Sequence, residues 1–142
     1  MNSTYEEQLE KYGELIYTNV GTSMMPLIRN HKDLLVIEKK ECIKKFDVVL
    51  YKRTNGSYVL HRIIKVRKED YVLCGDNCTY KEYGIKEEQI LGVLKRVIRD
   101  GKELSLSGCG YQIYTHIWCD FLSLRIVLLK LRNLLCTMRK NM

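Results

Sequence analysis

A mostly β core with a helix at each end is what this chain of 142 residues predicts, and three observations predict it. Short runs rich in Val, Ile, Leu and Tyr fill the middle and are separated by turn-forming or charged residues. The opening segment carries a helix-start signature ahead of a helical face. The closing segment repeats apolar residues at steps of three and four.

In chain order, "STYEEQLEKYGELI" places Glu7 three residues after Thr4, the spacing of a capping box, and puts Tyr5, Leu9, Tyr12 and Ile16 on one helical face. The runs "DLLVIEK", "DVVLYKR", "YVLHRIIKV", "DYVLCGD", "ILGVLKRVIRDG" and "KELSLSG" then read as strands. Between the second and third, Asn55-Gly56 reads as a hairpin turn, because both residue types accept the positive φ that such turns require. From about residue 111 onward, Ile113, Ile117, Phe121, Leu124, Leu128, Leu131 and Leu135 predict one long amphipathic helix. Trp118, Leu122, Ile126 and Leu129 form a second apolar stripe on it. Asp120, Arg125, Lys130 and Arg132 interrupt the run, so it falls short of the roughly twenty apolar residues a membrane span needs. Two placements compete for this helix. It lies in the plane of an anionic membrane, with Trp118 and the basic set Arg125, Lys130, Arg132, Arg139 and Lys140 at the surface, or it docks on the sheet or a partner. The expected division is a β domain with its N-terminal helix over residues 1–107 and a basic helix over 108–142.

The net charge of +7 fits an anionic partner, but the basic residues are spread over many segments and form no recognised nucleic-acid module, so no nucleic acid is expected. Six cysteines lack a repeated spacing and the N-terminus is polar and acidic, which predicts a reduced, cytoplasmic setting. "CGDNC" brings two thiols four residues apart, and His31 or His116 could complete a zinc site, yet no second close pair of ligands accompanies them. No metal or cofactor is expected.

Chemistry concentrates at "VGTSMMPLI", where Ser23 stands between a small flexible pair and two methionines backed by a proline. A serine hydroxyl is a poor nucleophile until a neighbour takes its proton, and histidine, with an ordinary pKa near ~6.5, does this at neutral pH. Of His31, His61 and His116, only His61 sits in a strand, where alternation fixes its direction.

Taken together, "GTSMMP" with "DLLVIEK", then "DVVLYKR", "VLHRIIKV", "CGDN" and "ILGVLKRV", resemble in order and spacing the boxes of type I signal peptidases and the self-cleaving SOS repressors. The likeness runs over residues 21–97. In having His61 where the bacterial enzymes and repressors carry a lysine, the chain is similar to the signal peptidases of the endoplasmic reticulum and of archaea. The resemblance implies a signal-peptidase-like β fold and serine endoproteolysis of a precursor peptide or protein. Ser23 would be the nucleophile and His61 the general base, then general acid. Met24, Met25 and Pro26 would fix the turn and help wall the pocket, while backbone N–H groups of Ser23 and Gly21 would receive the oxyanion. Glu82 falls where the endoplasmic-reticulum enzymes carry the aspartate that orients the histidine, and Asp76 matches an aspartate that supports the site. Glu82 is ranked ahead as orienter, although it is longer than the family's aspartate. A histidine base implies a rise of kcat/KM through about pH ~6–7.

Some features depart from the family. The glycines that usually precede Asp33 and Asp47 are replaced by Lys32 and Phe46, which predicts altered turns. The twenty-two residues ahead of Ser23 are polar and hold neither an anchoring helix nor a helix-turn-helix. These departures leave a second reading open: a degenerate relative that binds a peptide or partner without cleaving it.

Overall fold

The computed structural model describes residues 3–39 and 41–140. The extreme ends of the two expected segments, residues 1–2 and 141–142, lie outside them. Helix α1 (Tyr5–Tyr12) is followed by β1 (Glu14–Thr18), β2 (Leu34–Glu38), β3 (Val48–Lys52), β4 (Tyr58–Val66), β5 (Tyr71–Cys74) and β6 (Glu82–Ile85). A 3₁₀ turn leads to β7 (Ile90–Arg99) and β8 (Lys102–Leu104), and the chain closes with α2 (Cys109–Asp120) and α3 (Leu122–Lys140).

The capping box forms at α1: the Thr4 hydroxyl accepts from the Glu7 N–H and the Glu7 carboxylate accepts from the Thr4 N–H. The helix ends sooner than the spacing of Tyr12 and Ile16 predicts. Gly13 takes φ +75 and donates its N–H to the Leu9 carbonyl, so the chain leaves the helix and Ile16 falls in β1. A left-handed glycine stops a helix more firmly than an i,i+4 pair extends it.

All strand pairings are antiparallel, in the order β1-β2-β7-β3-β4-β5-β6, with β8 added beside β7. Register shifts at Val36/Ile37, Leu50/Tyr51, Ile63/Lys65 and Tyr71/Leu73 bend the strands. At Gly92 the backbones of β2 and β7 come so close that a Cβ would stand 2.7 Å from the Glu38 carbonyl oxygen. Alternation divides the buried residues into two clusters. Leu35, Ile37, Leu50 and Leu60 pack with Leu9 of α1 and with Met24 and Ile28, while Val49, Tyr51, Ile63 and Leu73 pack with Ile85 and Val93. At roughly 1.5–3 kcal/mol per buried large aliphatic side chain, the first and larger cluster fastens α1 and the serine turn to the sheet.

The C-terminal segment is two helices, not one. Phe121, at φ −97 and ψ 41, interrupts the helical backbone between α2 and α3. Both helices turn a few residues inward: Thr115 and Cys119 from α2, Arg125 and Leu129 from α3. Among the described residues, no helix is long and apolar enough to cross a membrane. One altered turn helps seat α2. Phe46 lies at φ +76, a conformation that costs a side-chain-bearing residue roughly 1–2 kcal/mol, and its ring meets His116 edge-on at 5.0 Å. Its carbonyl accepts from the Arg62 guanidinium at 2.9 Å. His31, beside Lys32 in the other altered turn, is also left-handed, at φ 57.

Candidate active site

Ser23 rides on a loop, residues 19–33, that is tied down at both ends. His31 donates its N–H to the Asn19 carbonyl, and Gly21, at φ +114, donates its own to Asn30 Oδ1 at 2.8 Å. Asp33, wholly buried, accepts from the Arg29 backbone N–H and from the side chains of Arg29 and Arg99. Burial pushes the Asp33 carboxyl up, but these donors outweigh it and hold the pKa at about 2. Met24 is fully buried in the larger cluster, while Met25 and Pro26 are exposed. The expected roles therefore divide: Met24 supports the turn from inside and lines no open pocket. Gly21 also departs from expectation, because its N–H is engaged by Asn30 and is not free for an oxyanion. The Ser23 N–H has no acceptor among the described residues.

β4 brings in His61, which is buried to 1% exposure. Its Nδ1 lies 3.3 Å from Glu82 Oε1, at the start of β6, and 3.3 Å from the Tyr51 hydroxyl on β3. Tyr51 pairs with Val59, so it stands on the diagonal from His61, a separation that an aromatic side chain spans. Glu82 is gripped by Arg53, with Nε 3.0 Å from Oε2 and Nη2 on Oε1. Burial acts to raise the Glu82 carboxyl, yet the hydrogen bonds from Arg53 and Tyr51 and the neighbouring His61 leave it below the ordinary range. For His61 burial is the largest influence and lowers the pKa to about 4, with Arg53 adding to it and Glu82 opposing. The titration of His61 therefore lies below the pH ~6–7 expected from an ordinary imidazole. His61 is a neutral imidazole across the neutral range, and a carboxylate at Nδ1 favours the tautomer with a lone pair on Nε2.

On the Nε2 side the two halves of the site converge at Gly75. A Cβ placed there would stand 2.6 Å from the Ser23 carbonyl oxygen, 3.0 Å from His61 Nε2 and 2.6 Å from Cys78 Sγ. The Ser23 backbone and His61 Nε2 are thus less than about 6 Å apart. No hydrogen bond joins the Ser23 hydroxyl to Nε2, a looseness common where no substrate is bound. Next in the loop, the Asn77 N–H donates to the Ser23 carbonyl at 2.8 Å, and its side-chain amide donates to the Thr22 carbonyl at 3.0 Å.

Asp76 does other work. Completely buried, it takes two parallel hydrogen bonds from Arg62, at 2.9 and 2.8 Å, and a third from the Tyr114 hydroxyl at 2.8 Å. Its own carbonyl accepts from Trp118 Nε1 at 2.7 Å. The indole expected at a membrane surface is therefore an anchor of α2. Arg125, expected in the same lipid-facing set, is 2% exposed and donates to the carbonyls of Gly75 and Cys78 and to Cys74 Sγ. A guanidinium supplies several donors in fixed directions, which suits a cluster of orphan loop carbonyls.

The six cysteines are free, and among the described residues no group of three or more His, Cys, Asp or Glu is placed to hold a metal. His116 pairs with Asp120 at 2.9 Å. A cavity of about 690 Å³ is lined by Lys39, Asp47, Arg96 and Glu103 among others and includes none of Ser23, His61, Glu82 or Asp76. Comparison of the chain with protein-family models, curated proteins and solved structures gives no match.

Sequence reasoning did not find Tyr51, Arg53, Gly75, Asn77 or Arg125. The first two had a usable signal. The Asn55-Gly56 turn sets the β3–β4 register, and that register carries Tyr51 and Arg53 toward His61.

Proposed function

We propose that this protein is a serine endopeptidase with a signal-peptidase-like core, acting on an extended segment of a precursor peptide or protein. The observation that carries this reading is the polarity of His61: a carboxylate faces Nδ1, while Nε2 and the serine-bearing turn converge on Gly75. In the cycle this supports, the Ser23 hydroxyl adds to the scissile carbonyl carbon and its proton passes to Nε2. The carbonyl oxygen becomes an oxyanion, for which the Ser23 N–H is the available donor. Collapse breaks the C–N bond and the leaving amine takes the proton from His61. Water then repeats the sequence on the Ser23 ester, releasing the acid and restoring both residues. Glu82, held by Arg53, stabilises the imidazolium that forms in each half.

A fluorophosphonate probe, which reacts with activated serines, tests this directly. Labelling should map to Ser23 and vanish in Ser23→Ala and in His61→Ala, while both variants retain the wild-type melting profile. On a cleaved precursor each change should lower kcat by roughly 10⁴–10⁶, and the double change by little more, because the pair acts as a unit. Wild-type labelling or turnover in His61→Ala would overturn His61 as the base, and a wild type that neither labels at Ser23 nor cleaves would remove the endopeptidase and leave the non-cleaving, peptide-binding relative.

A further inference from the structure

Helix α3 has two apolar faces, and the fold uses one. Arg125 and Leu129 point into the body, whereas Leu124, Val127, Leu128, Leu131, Leu134 and Leu135 are each more than half exposed. At 100° per residue these six fall on one stripe about 120° wide, turned away from the buried side. Residues 131–140 are exposed throughout, so the last turns of the helix project past the sheet. A ten-residue helix with no packed face is marginal in water, which makes this stripe a surface that calls for a cover.

Charge identifies the cover. Helix α3 contains five basic residues and no acidic one. On the same helical wheel Lys130 borders one margin of the stripe, and Arg132 and Arg139 border the other. Asp120, the nearest acid, is occupied by His116 and Lys45. An apolar stripe between basic margins complements the acyl boundary and anionic headgroups of a bilayer, whereas a second copy would bring basic margin against basic margin. We infer that the outward face of α3 docks in the plane of an anionic membrane surface. The contact leaves Arg125 buried and the Trp118 indole bonded to the Asp76 carbonyl, where they hold residues 75–78, and uses Lys130 and Arg139 as the lipid-facing charges. It does not depend on catalysis.

Co-sedimentation of the full chain with vesicles tests it, comparing pure phosphatidylcholine with phosphatidylcholine containing about a third phosphatidylserine. The protein should pellet with the anionic vesicles, stay in solution with the neutral ones, and bind more weakly at high salt. Lys130→Gln and Arg139→Gln together should weaken binding about 25-fold, near fivefold for each charge. Leu131→Glu with Leu135→Glu should abolish it. All four positions are exposed, and an unchanged melting profile shows that the fold survives. Ser23→Ala should bind like wild type, which separates this result from the peptidase reading. Failure to pellet with anionic vesicles, or equal binding to both compositions, overturns the inference. So does a concentration-dependent dimer, seen by light scattering, that Leu131→Glu dissolves.

Discussion

His61 and Arg62 are neighbours on one strand, and alternation sends them into two polar clusters of opposite character. Around His61 stand Glu82, Tyr51 and Arg53, with one nitrogen of the ring left facing the serine turn. Around Arg62 each guanidinium nitrogen is engaged: Nε and Nη2 donate to Asp76, and Nη1 donates to the Phe46 carbonyl and the Tyr111 hydroxyl, both at 2.9 Å. The first cluster keeps a group that can change its protonation. The second is closed, and its partners come from β4, the 75–78 loop and α2, so it joins elements together. Two acids of the same charge, Glu82 and Asp76, thus acquire different work from what surrounds them.

The contrast breaks first at Glu82. Glu82→Gln keeps the shape but removes the charge opposite Nδ1, and turnover should fall by roughly 10⁴ with little loss of stability, as measured by kcat and by urea denaturation of the same sample. A comparable loss in Asp76→Asn, with wild-type activity in Glu82→Gln, would exchange the two roles.

Asp76→Asn comes next in size. It strands a buried guanidinium, and removing one partner of such a pair costs about 3–5 kcal/mol. The midpoint of urea unfolding should drop accordingly, and the near-ultraviolet signal of Trp118, whose indole is bonded to this residue's carbonyl, should change with it. An unchanged midpoint would mean that the second cluster is not closed.

The smallest effect sharpens the comparison through pH. The folded pKa of His61 is depressed to about 4 from an unfolded value near ~6.5, so the unfolded chain binds this proton first as pH falls. Stability from this group is therefore complete above about pH 6.5 and lost progressively down to about 4, by roughly 3 kcal/mol. Imidazole NMR should show one histidine titrating near 4, and kcat/KM should fall on the acid side of that value, not near 6.5. In His61→Gln the loss of stability across this window should shrink.

Much of the framework was legible because burial on one face writes itself as alternation. The runs around Val36, Leu50, His61, Leu73 and Leu94 all became strands. β1 and β6 did not announce themselves for opposite reasons. Ile16 fits a helical spacing that Gly13 cuts short, and in β6 only Ile85 is buried, so no pattern forms. Within the candidate site, His61 was singled out in an ordered motif and Glu82 by where the resemblance places it, and the fold sets the two 3.3 Å apart. Asn77 and Gly75 were not, since their importance lies in backbone contacts made across more than fifty residues. Arg125 illustrates the converse: its spacing among basic residues reads as surface, and only the orphan carbonyls beneath it explain its burial.

Surface loops ordinarily accept an inserted residue at small cost, because most of their positions face water. Residues 75–78 have no such slack. Four consecutive positions answer to different neighbours: Gly75 to His61, Asp76 to Arg62 and α2, Asn77 to the serine turn, and Cys78, through its carbonyl, to Arg125. One extra residue would hand each neighbour the wrong partner, placing a side chain where only a hydrogen fits and a neutral group against a buried guanidinium. Length variation should therefore be as damaging in this short turn as in a central strand, and a library of single-residue insertions along the chain should show a gap at residues 75–78.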